Sequence, residues 1–234
     1  MRNLSLIVIY LFIFCISSCQ TEKATLVKED RLPKLPLKYL ALGDSYTIGQ
    51  SVDSVNCYPA QLAARLTEDS INIESLRIIA RTGWTTDELQ NAINGADLQA
   101  DYDFVSLLIG VNNQFRGYSE QIYEQEFESL LQQAIFFAKG NKEKVFVVSI
   151  PDYAFTPYGQ SRAAEITAGI DRFNTINKRI TESYEVAYYD ITPISREGIE
   201  KPELVALDRL HPSAEQYRLW VASFYEGVKE QLLD

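Results

Sequence analysis

Residues 37–46 read LKYLALGDSY, and this stretch decides the fold. The apolar run LKYLAL has the length and composition of a buried strand. A glycine-containing turn follows it directly, and a helical stretch, YPAQLAARLTED, comes next at residues 58–69. A short strand, a tight turn and a helix begin a β–α–β unit, so the stretch predicts an α/β protein.

The same alternation continues to the end of the chain. Four more strands are predicted from apolar or β-branched runs, at residues 71–80, 103–110, 144–150 and 186–191. Further helices are predicted from apolar residues at helical spacing, at residues 85–93, 119–139, about 162–184 and 214–233. Strands that alternate with helices form a parallel sheet covered on both faces. We therefore predict a three-layer α/β/α sandwich with a parallel, flavodoxin-like five-stranded sheet.

The position of a ligand site follows from this architecture. In open parallel sheets, ligands bind beyond the carboxyl ends of the strands. The site is therefore predicted in the loops that follow Leu42, Ala80, Ile109, Ile150 and Ile191.

The N-terminal segment is predicted to be a lipoprotein signal. Residues 1–18 have a positive start and an apolar run that is short for a membrane span, as in a signal peptide. Their last three residues and the cysteine that follows read ISSC, which resembles a bacterial lipobox, and Cys19 would then carry a lipid. This predicts an anchored protein of the cell envelope, in the outer membrane and facing the periplasm or the surface. An ordinary signal peptide with a chance cysteine is one alternative, and a retained membrane anchor is another.

The cysteines fit this organisation. Residues 19–36 are polar, charged and contain two prolines, which predicts a tether, and residues 37–234 are predicted to form the folded domain. If Cys15 is removed and Cys19 is acylated, Cys57 has no partner for an internal disulfide. We expect Cys57 to be a small buried residue. The sequence has no CxxC pair or His/Cys cluster, so no metal site is predicted.

Composition limits the classes of partner. The formal net charge of −10 would repel phosphate backbones, so no nucleic acid partner is expected. Such a charge is also typical of a well-solvated surface. With 46% hydrophobic residues the chain can bury a core, and disorder of the domain is not expected.

A serine and the only histidine are candidates for nucleophilic catalysis. Ser45 lies on the tight turn after the first strand, where backbone N–H groups are near; a phosphate-binding or purely structural turn is the alternative. A neutral imidazole such as His211 can take a serine proton near pH 7. Asp208 precedes it by three residues, close enough to orient Nδ1. Taken alone, His211 would be a surface histidine beside a helix cap.

Two more candidates follow neighbouring strands. The side-chain amide of Asn112 can donate a hydrogen bond to a developing oxyanion. Gly83 lets a backbone N–H approach a ligand closely. Each is weak evidence alone, because Asn and Gly are ordinary turn residues.

Together these blocks resemble the SGNH hydrolases, also called GDSL esterases or lipases. That family is named for Ser, Gly, Asn and His in four blocks, which fall here at Ser45, Gly83, Asn112 and His211. The D-x-x-H pattern of its last block is also present, and the resemblance covers about residues 37–225. One position departs from the family pattern: Asn113 stands where an aspartate is usual. We expect Asn113 to form a neutral version of the hydrogen bond to neighbouring loops.

The resemblance implies ester hydrolysis through an acyl-serine intermediate. It implies Ser45 as nucleophile, His211 as base and Asp208 as the partner that orients it. The oxyanion would be held by the N–H groups of Ser45 and Gly83 and by the amide of Asn112. No metal or organic cofactor is needed. The substrate would be a small-molecule ester or a carbohydrate or lipid ester, and the lack of a long apolar lid favours short acyl or acetyl groups.

The predicted site loops are rich in aromatic residues, which could bind acyl chains, stack on sugar rings or simply pack beneath the loops. They are Trp84, Phe115, Tyr118, Tyr153, Phe155 and Tyr158. Arg116 and Arg162 could meet an anionic group, but we expect both to be solvated.

Two other functions are compatible with the same residues. An acyltransferase would use the same triad with an acceptor other than water. A lipid-anchored carbohydrate-binding lipoprotein would carry a vestigial triad, although the presence of Ser, Asp and His together argues against it.

Overall fold

The computed structural model describes residues 36–233. The predicted signal peptide (residues 1–18), Cys19 and all but the last residue of the predicted tether (residues 19–36) lie outside this range. Of the helices within it, none is both long enough and apolar enough to cross a membrane.

Five parallel strands form the sheet of the described chain. They are β1 Leu37–Asp44, β2 Ile73–Arg81, β3 Phe104–Leu108, β4 Val145–Val148 and β5 Ala187–Tyr189. Their order is β2-β1-β3-β4-β5, and every neighbouring pair is parallel. This is the flavodoxin-like order, so the predicted fold class is confirmed.

Burial separates the central strands from the edge strands. The three central strands, β1, β3 and β4, are almost entirely buried, as the apolar runs predicted. The edge strands β2 and β5 are half-exposed, and β5 is only three residues long. Short edge strands limit unwanted pairing with other chains. Four of the predicted strands were too long, because most of the residues that flank the observed strands have no regular structure.

Eight α-helices lie within residues 36–233. They are α1 Ser45–Ile48, α2 Tyr58–Glu68, α3 Thr86–Gly95, α4 Val111–Phe115, α5 Glu120–Phe137, α6 Ala163–Ser183, α7 Thr192–Ser195 and α8 Ala214–Leu233. Helix α2 packs against α8, and α5 packs against both α3 and α6. These two groups form the helical layers of the sandwich.

Serine side chains cap two of the long helices, α5 and α8. The Ser119 hydroxyl accepts from the N–H of Ile122 at 3.2 Å at the start of α5. Ser213 caps α8 in the same way by accepting from the N–H of Gln216 at 3.2 Å. Helices α1, α4 and α7 have four or five residues each. Hydrophobic periodicity did not predict them, because one turn is too short to show a period.

Two glycines make the turns after β1 and β3 tight. A Cβ atom on Gly43 would lie 2.1 Å from the Thr47 hydroxyl and 2.4 Å from the Leu108 carbonyl oxygen. Gly110 has φ +130°, and a Cβ atom there would lie 2.4 Å from the Tyr123 hydroxyl. Only glycine fits both places. The two turns therefore lie side by side at the carboxyl ends of β1 and β3. At this point of the sheet the order of the strands reverses.

Cys57 precedes α2 and is fully buried. Its thiol donates to the carbonyl oxygen of Ser54 at 3.1 Å. Burial raises the pKa of this thiol, so the reactive thiolate form is disfavoured. The prediction that Cys57 is a small buried residue is confirmed.

Candidate active site

A cavity of about 200 Å³ lies beyond the carboxyl ends of β1 and β3. It is formed by the turns after these two strands, the loop after β4 and the loop that precedes α8. The lining residues are Ser45, Tyr46, Val111, Asn112, Phe115, Tyr153, Tyr158, Leu210 and His211. Three of the residues predicted from the sequence, Ser45, Asn112 and His211, thus share one cavity.

The turn that carries Ser45 is capped by the aspartate before it. Ser45 is the first residue of α1 and is 4% exposed. One carboxylate oxygen of Asp44, Oδ1, accepts from the N–H of Tyr46 at 3.0 Å. The cap fixes the backbone around Ser45 and aims the serine at the cavity.

Asp44 itself is fully buried. Its second oxygen, Oδ2, has no hydrogen-bond partner among the described residues. Burial raises the pKa of Asp44 to about 7, because removal from water disfavours the carboxylate and the N–H of Tyr46 compensates only partly. A carboxyl group that titrates near neutral pH therefore lies directly beside Ser45.

His211 and Asp208 form a close pair on the other side of the cavity. Asp208 Oδ2 lies 2.6 Å from His211 Nδ1, and Asp208 Oδ1 accepts from the N–H groups of Leu210 and His211 at 3.0 Å each. The hydroxyl of Ser51 donates to Oδ2 at 2.6 Å. Partial burial would raise the pKa of Asp208, but the hydrogen bonds from Ser51 and His211 outweigh it and lower the pKa to about 2. Asp208 is therefore ionised, and Nδ1–H of His211 is the donor.

A small hairpin holds this pair. The N–H of Ala206 donates to the carbonyl oxygen of His211 at 2.8 Å, and the N–H of Ser213 donates to that of Leu204 at 2.9 Å. Arg209, at the tip, adopts a left-handed conformation with φ +70°. Its carbonyl oxygen accepts from the N–H of Tyr158, which joins the hairpin to the loop after β4. The D-x-x-H segment is thus a turn whose hydrogen bonds are mostly its own.

Ser45 and His211 face the same cavity without a direct hydrogen bond between their side chains in the described chain. Catalytic hydrogen bonds are often long before substrate binds. The ring of Tyr46 lies beside the imidazole, with the ring centroids 5.5 Å apart. Tyr46 is 3% exposed and supports one side of the His211 ring. The sequence analysis gave no role to Tyr46, although its position next to Ser45 indicated that it lies at the site.

Asn112 lies on α4, opposite His211. Its side-chain Nδ2 donates to the carbonyl oxygen of Trp84 at 2.9 Å. A primary amide has two N–H groups, so one remains free to donate into the cavity. The bond to Trp84 fixes the amide plane, which is the preorganisation that an oxyanion donor needs.

Asn113 is fully buried and joins α4 to the start of α3. Its Oδ1 accepts from the N–H of Thr86 at 3.1 Å, and its Nδ2 donates to the Thr86 hydroxyl at 2.6 Å. That hydroxyl in turn donates to the carboxylate of Glu126 on α5. An amide therefore performs the loop-to-loop bonding that was expected of Asn113, and it does so as both acceptor and donor.

Gly83 lies next to the cavity, but it is not among the lining residues. Its carbonyl oxygen accepts from the guanidinium of Arg116 at 2.6 Å. Arg116 also lies 3.3 Å from the carboxylate of Glu88. Arg116 is exposed to water, as expected, and it also contacts an acceptor of the loop after β2 and a carboxylate on the first turn of α3. Arg162 pairs with Glu165 on the surface, and that pair is solvated as expected.

The aromatic residues divide into two groups. Phe115, Tyr153 and Tyr158 line the cavity, and Phe115 and Tyr158 are more than half exposed. Trp84, Tyr118 and Phe155 do not line it. Val111 and Leu210 complete the apolar wall, and sequence reasoning missed both, since an aliphatic residue at a turn carries no distinctive signal. Within residues 36–233, no cluster of His, Cys, Asp or Glu side chains could hold a metal ion.

A parallel α/β sheet with serine, asparagine and a histidine–aspartate pair at one cavity is the arrangement of an ester hydrolase of the SGNH type. The chain belongs to the GDSL-like Lipase/Acylhydrolase family, whose model matches residues 41–219. It is thus an enzyme of the GDSL esterase and lipase class. One relative is the spore germination lipase LipC of Bacillus licheniformis, 26% identical over 201 residues, covering 78% of this chain and 92% of the relative.

Solved structures show the same fold. The psychrotrophic esterase EstA from Pseudoalteromonas sp. aligns with a TM-score of 0.64 at 16% identity, covering 84% of this chain and 99% of that one. The acetylxylan esterase Axe2 from Geobacillus stearothermophilus aligns with a TM-score of 0.59 at 20% identity, covering 82% and 94%. At these identities the likeness concerns the fold alone.

Proposed function

We propose that the protein hydrolyses carboxylic esters of short acyl groups through an acyl-enzyme formed on Ser45. The observation that carries this proposal is the convergence of Ser45, His211 and Asn112 on one cavity, with Asp208 hydrogen-bonded to Nδ1 of His211. Nucleophile, base, orienting carboxylate and oxyanion donor are the parts that acyl transfer to serine requires.

Each residue has one role in the proposed reaction. Nε2 of His211 takes the proton of the Ser45 hydroxyl as the oxygen attacks the ester carbonyl, and later gives it to the leaving alcohol. Asp208, ionised and bound to Nδ1–H, keeps Nε2 free of a proton and stabilises the imidazolium. The free N–H of Asn112 and the backbone N–H groups of Ser45 and Gly83 donate to the tetrahedral oxyanion. Water then repeats the sequence on the acyl-enzyme and releases the acid.

The size of the cavity supports a short acyl group. Its volume of about 200 Å³ lies below the roughly 300–1,000 Å³ of typical small-molecule pockets. Its wall is apolar where Val111, Phe115 and Leu210 contribute to it, as an acyl group requires. The alcohol part would extend past Tyr158, which is half-exposed and could contact a sugar or another small alcohol. The acetylxylan esterase with the same fold is named for esters of this kind.

The first test is hydrolysis of 4-nitrophenyl esters of increasing acyl length, followed by acetylated sugars. We expect kcat/KM to be highest for acetyl to butyryl esters and to fall for long chains. Ser45→Ala should lower kcat by on the order of 10⁴-fold, because triad members act as a unit. A variant that kept more than a tenth of wild-type activity would exclude Ser45 as the nucleophile. Faster product formation with added alcohol, together with a transesterified product, would indicate an acyltransferase instead.

A second test addresses the oxyanion donor. Asn112→Ala should lower kcat by about 10²- to 10³-fold, because it removes a hydrogen bond aimed at transition-state charge. Asn113→Asp changes the neighbouring residue without touching the cavity donor and should cost far less activity. Equal losses in the two variants would show that Asn112 is not the donor.

We also propose that the chain is lipidated on Cys19 and anchored in the cell envelope, in the outer membrane of a double-membraned bacterium. The support is the lipobox-like sequence of residues 16–19 and the polar stretch behind it. Metabolic labelling with a fatty acid should mark the wild type and leave Cys19→Ala unmarked. A mature N-terminus other than residue 19, found by mass spectrometry, would contradict this.

A further inference from the structure

Asp208 receives a hydrogen bond from outside its own hairpin. The hydroxyl of Ser51, which lies 157 residues earlier in the sequence, donates to Asp208 Oδ2 at 2.6 Å. The same oxygen lies 2.6 Å from Nδ1 of His211. Ser51 therefore contacts the one carboxylate oxygen on which the orientation of the imidazole depends.

The backbone at Ser51 adopts an unfavourable conformation. Its φ is +68°, a left-handed value that is uncommon for a residue with a side chain. The surrounding loop is fixed at its neighbour: the N–H of Gln50 donates to the carbonyl oxygen of Ser45, and the Thr82 hydroxyl donates to the side chain of Gln50. A non-glycine residue held in this conformation beside a candidate active site motivates a functional hypothesis, which the contacts of its side chain must support.

A second serine provides a reference for this conformation. Ser70, in the turn after α2, has φ +66° and is exposed like Ser51. Within residues 36–233 its hydroxyl forms no hydrogen bond. The left-handed backbone thus occurs in this protein without a side-chain partner, and the bond to Asp208 is a separate property of Ser51.

We propose that Ser51 is a positioning residue that holds Asp208 Oδ2 against Nδ1 of His211. The inference rests on the proposed function of the Ser45 site. Asp208 Oδ1 is fixed by two backbone N–H groups of its own hairpin. Oδ2 would otherwise have only the imidazole as partner, and the side chain of Asp208 is 30% exposed to water. The Ser51 hydroxyl supplies a second donor to Oδ2 and fixes the rotation of the carboxylate.

Four variants separate this role from a merely structural one. Ser51→Ala and Ser51→Gly both remove the donor, but only glycine relieves the left-handed backbone. Ser51→Asn keeps a donor on a residue that tolerates the left-handed region. Ser70→Gly is the matched control, since it changes the same residue type at nearly the same φ without a link to the site. All are assayed as full-length protein with 4-nitrophenyl acetate.

We expect Ser51→Ala and Ser51→Gly each to lower kcat by about tenfold, because each removes a hydrogen bond to a charged group. KM should change by less than about twofold. Ser51→Asn should recover most of kcat, and Ser70→Gly should match the wild type. Wild-type kcat in both donor-free variants, or an equal loss in Ser70→Gly, would overturn the inference and leave the proposed function intact. Full activity in Ser45→Ala would instead overturn the proposed function itself.

Discussion

The two turns that face each other across the cavity each carry an aspartate, and they hold it in opposite ways. Asp44, beside Ser45, is fully buried, receives a hydrogen bond from the N–H of Tyr46 at Oδ1, and has a pKa raised to about 7 by burial. Asp208, beside His211, is partly exposed and is surrounded by four donors. Despite its partial burial, those hydrogen bonds lower its pKa to about 2.

The difference shows that burial and the number of hydrogen-bond donors, more than the distance from Ser45, decide whether a carboxyl group is charged. Asp44 is adjacent to the proposed nucleophile, Ser45, in sequence and is protonated below neutral pH. Asp208 is farther along the chain and stays ionised through the working range of an enzyme. Environments that separate the pKa values of two carboxyl groups in this way suit the groups to different tasks. Asp208 can stabilise an imidazolium, whereas Asp44 serves as a helix cap.

The largest expected effect is a difference in kcat between substitutions of Asp208 and Asp44. Asp208→Asn should lower kcat by on the order of 10⁴-fold, because a neutral amide favours the wrong tautomer of His211. Asp44→Asn should keep kcat within about tenfold, since asparagine caps a helix as well as aspartate does. Steady-state kinetics on one acetyl ester measures both. A loss at Asp44→Asn as large as that at Asp208→Asn would show that Asp44 takes part in the reaction.

The next effect concerns stability and pH. A carboxyl group whose pKa is higher in the folded state stabilises the fold fully below its unfolded pKa, and this contribution is lost as pH rises to the folded pKa. For Asp44 the window runs from 3.8 to about 7, which corresponds to on the order of 4 kcal/mol. Urea unfolding at pH 5 and pH 8 should therefore show a steeper decline in the wild type than in Asp44→Asn. The same decline in both proteins would contradict a neutral Asp44.

The smallest expected effect is on the free energy of unfolding, when a carboxylate is introduced at position 113. Asn113→Asp should lower the free energy of unfolding by about 1–3 kcal/mol, because the single proton of the Thr86 hydroxyl cannot serve both the introduced carboxylate and Glu126. Adding Glu126→Gln supplies an amide donor to Thr86, so the hydroxyl can turn and the stability should return. Denaturant titration of the two single variants and the double variant checks this. A double variant no more stable than Asn113→Asp would show that the hydrogen-bond chain is not limiting.

The five strands and the helical layers could be predicted from the sequence, because both depend on regular features. Buried strands such as β3 and β4 are apolar runs, and the long helices show a helical period, with a serine cap at the start of α5 and of α8. The short helix α4 escaped prediction, although it carries Asn112, since five residues give no periodicity. The ends of strands were also placed too far outward, because an apolar residue at a turn looks like a strand residue.

The contacts of the site also divide into those that the sequence predicted and those that it did not. The pairing of Asp208 with His211 is local, and three residues of spacing were enough to predict their contact. The bonds that fix the other parts join distant segments: Asn113 to Thr86, Arg116 to Gly83 and Ser51 to Asp208. The resemblance led us to expect a loop bond from Asn113, but not its partner. Nothing in a single sequence shows which loops meet across the end of a sheet, so the partner of Asn113 and the other two contacts could be found only in the folded chain.

The positions of Ser45 and His211 along the chain have a consequence during synthesis on the ribosome. Ser45 follows β1, which is near the middle of the sheet and close to the start of the folded domain, whereas His211 lies in the hairpin just before the last helix. A ribosome delivers the chain from its N-terminus at roughly 5–20 residues per second, so the serine exists for many seconds before its base is made. With the roles proposed for these residues, an unfinished chain holds a serine that nothing can deprotonate. Ester hydrolysis begins only when the whole polypeptide has been completed and folded.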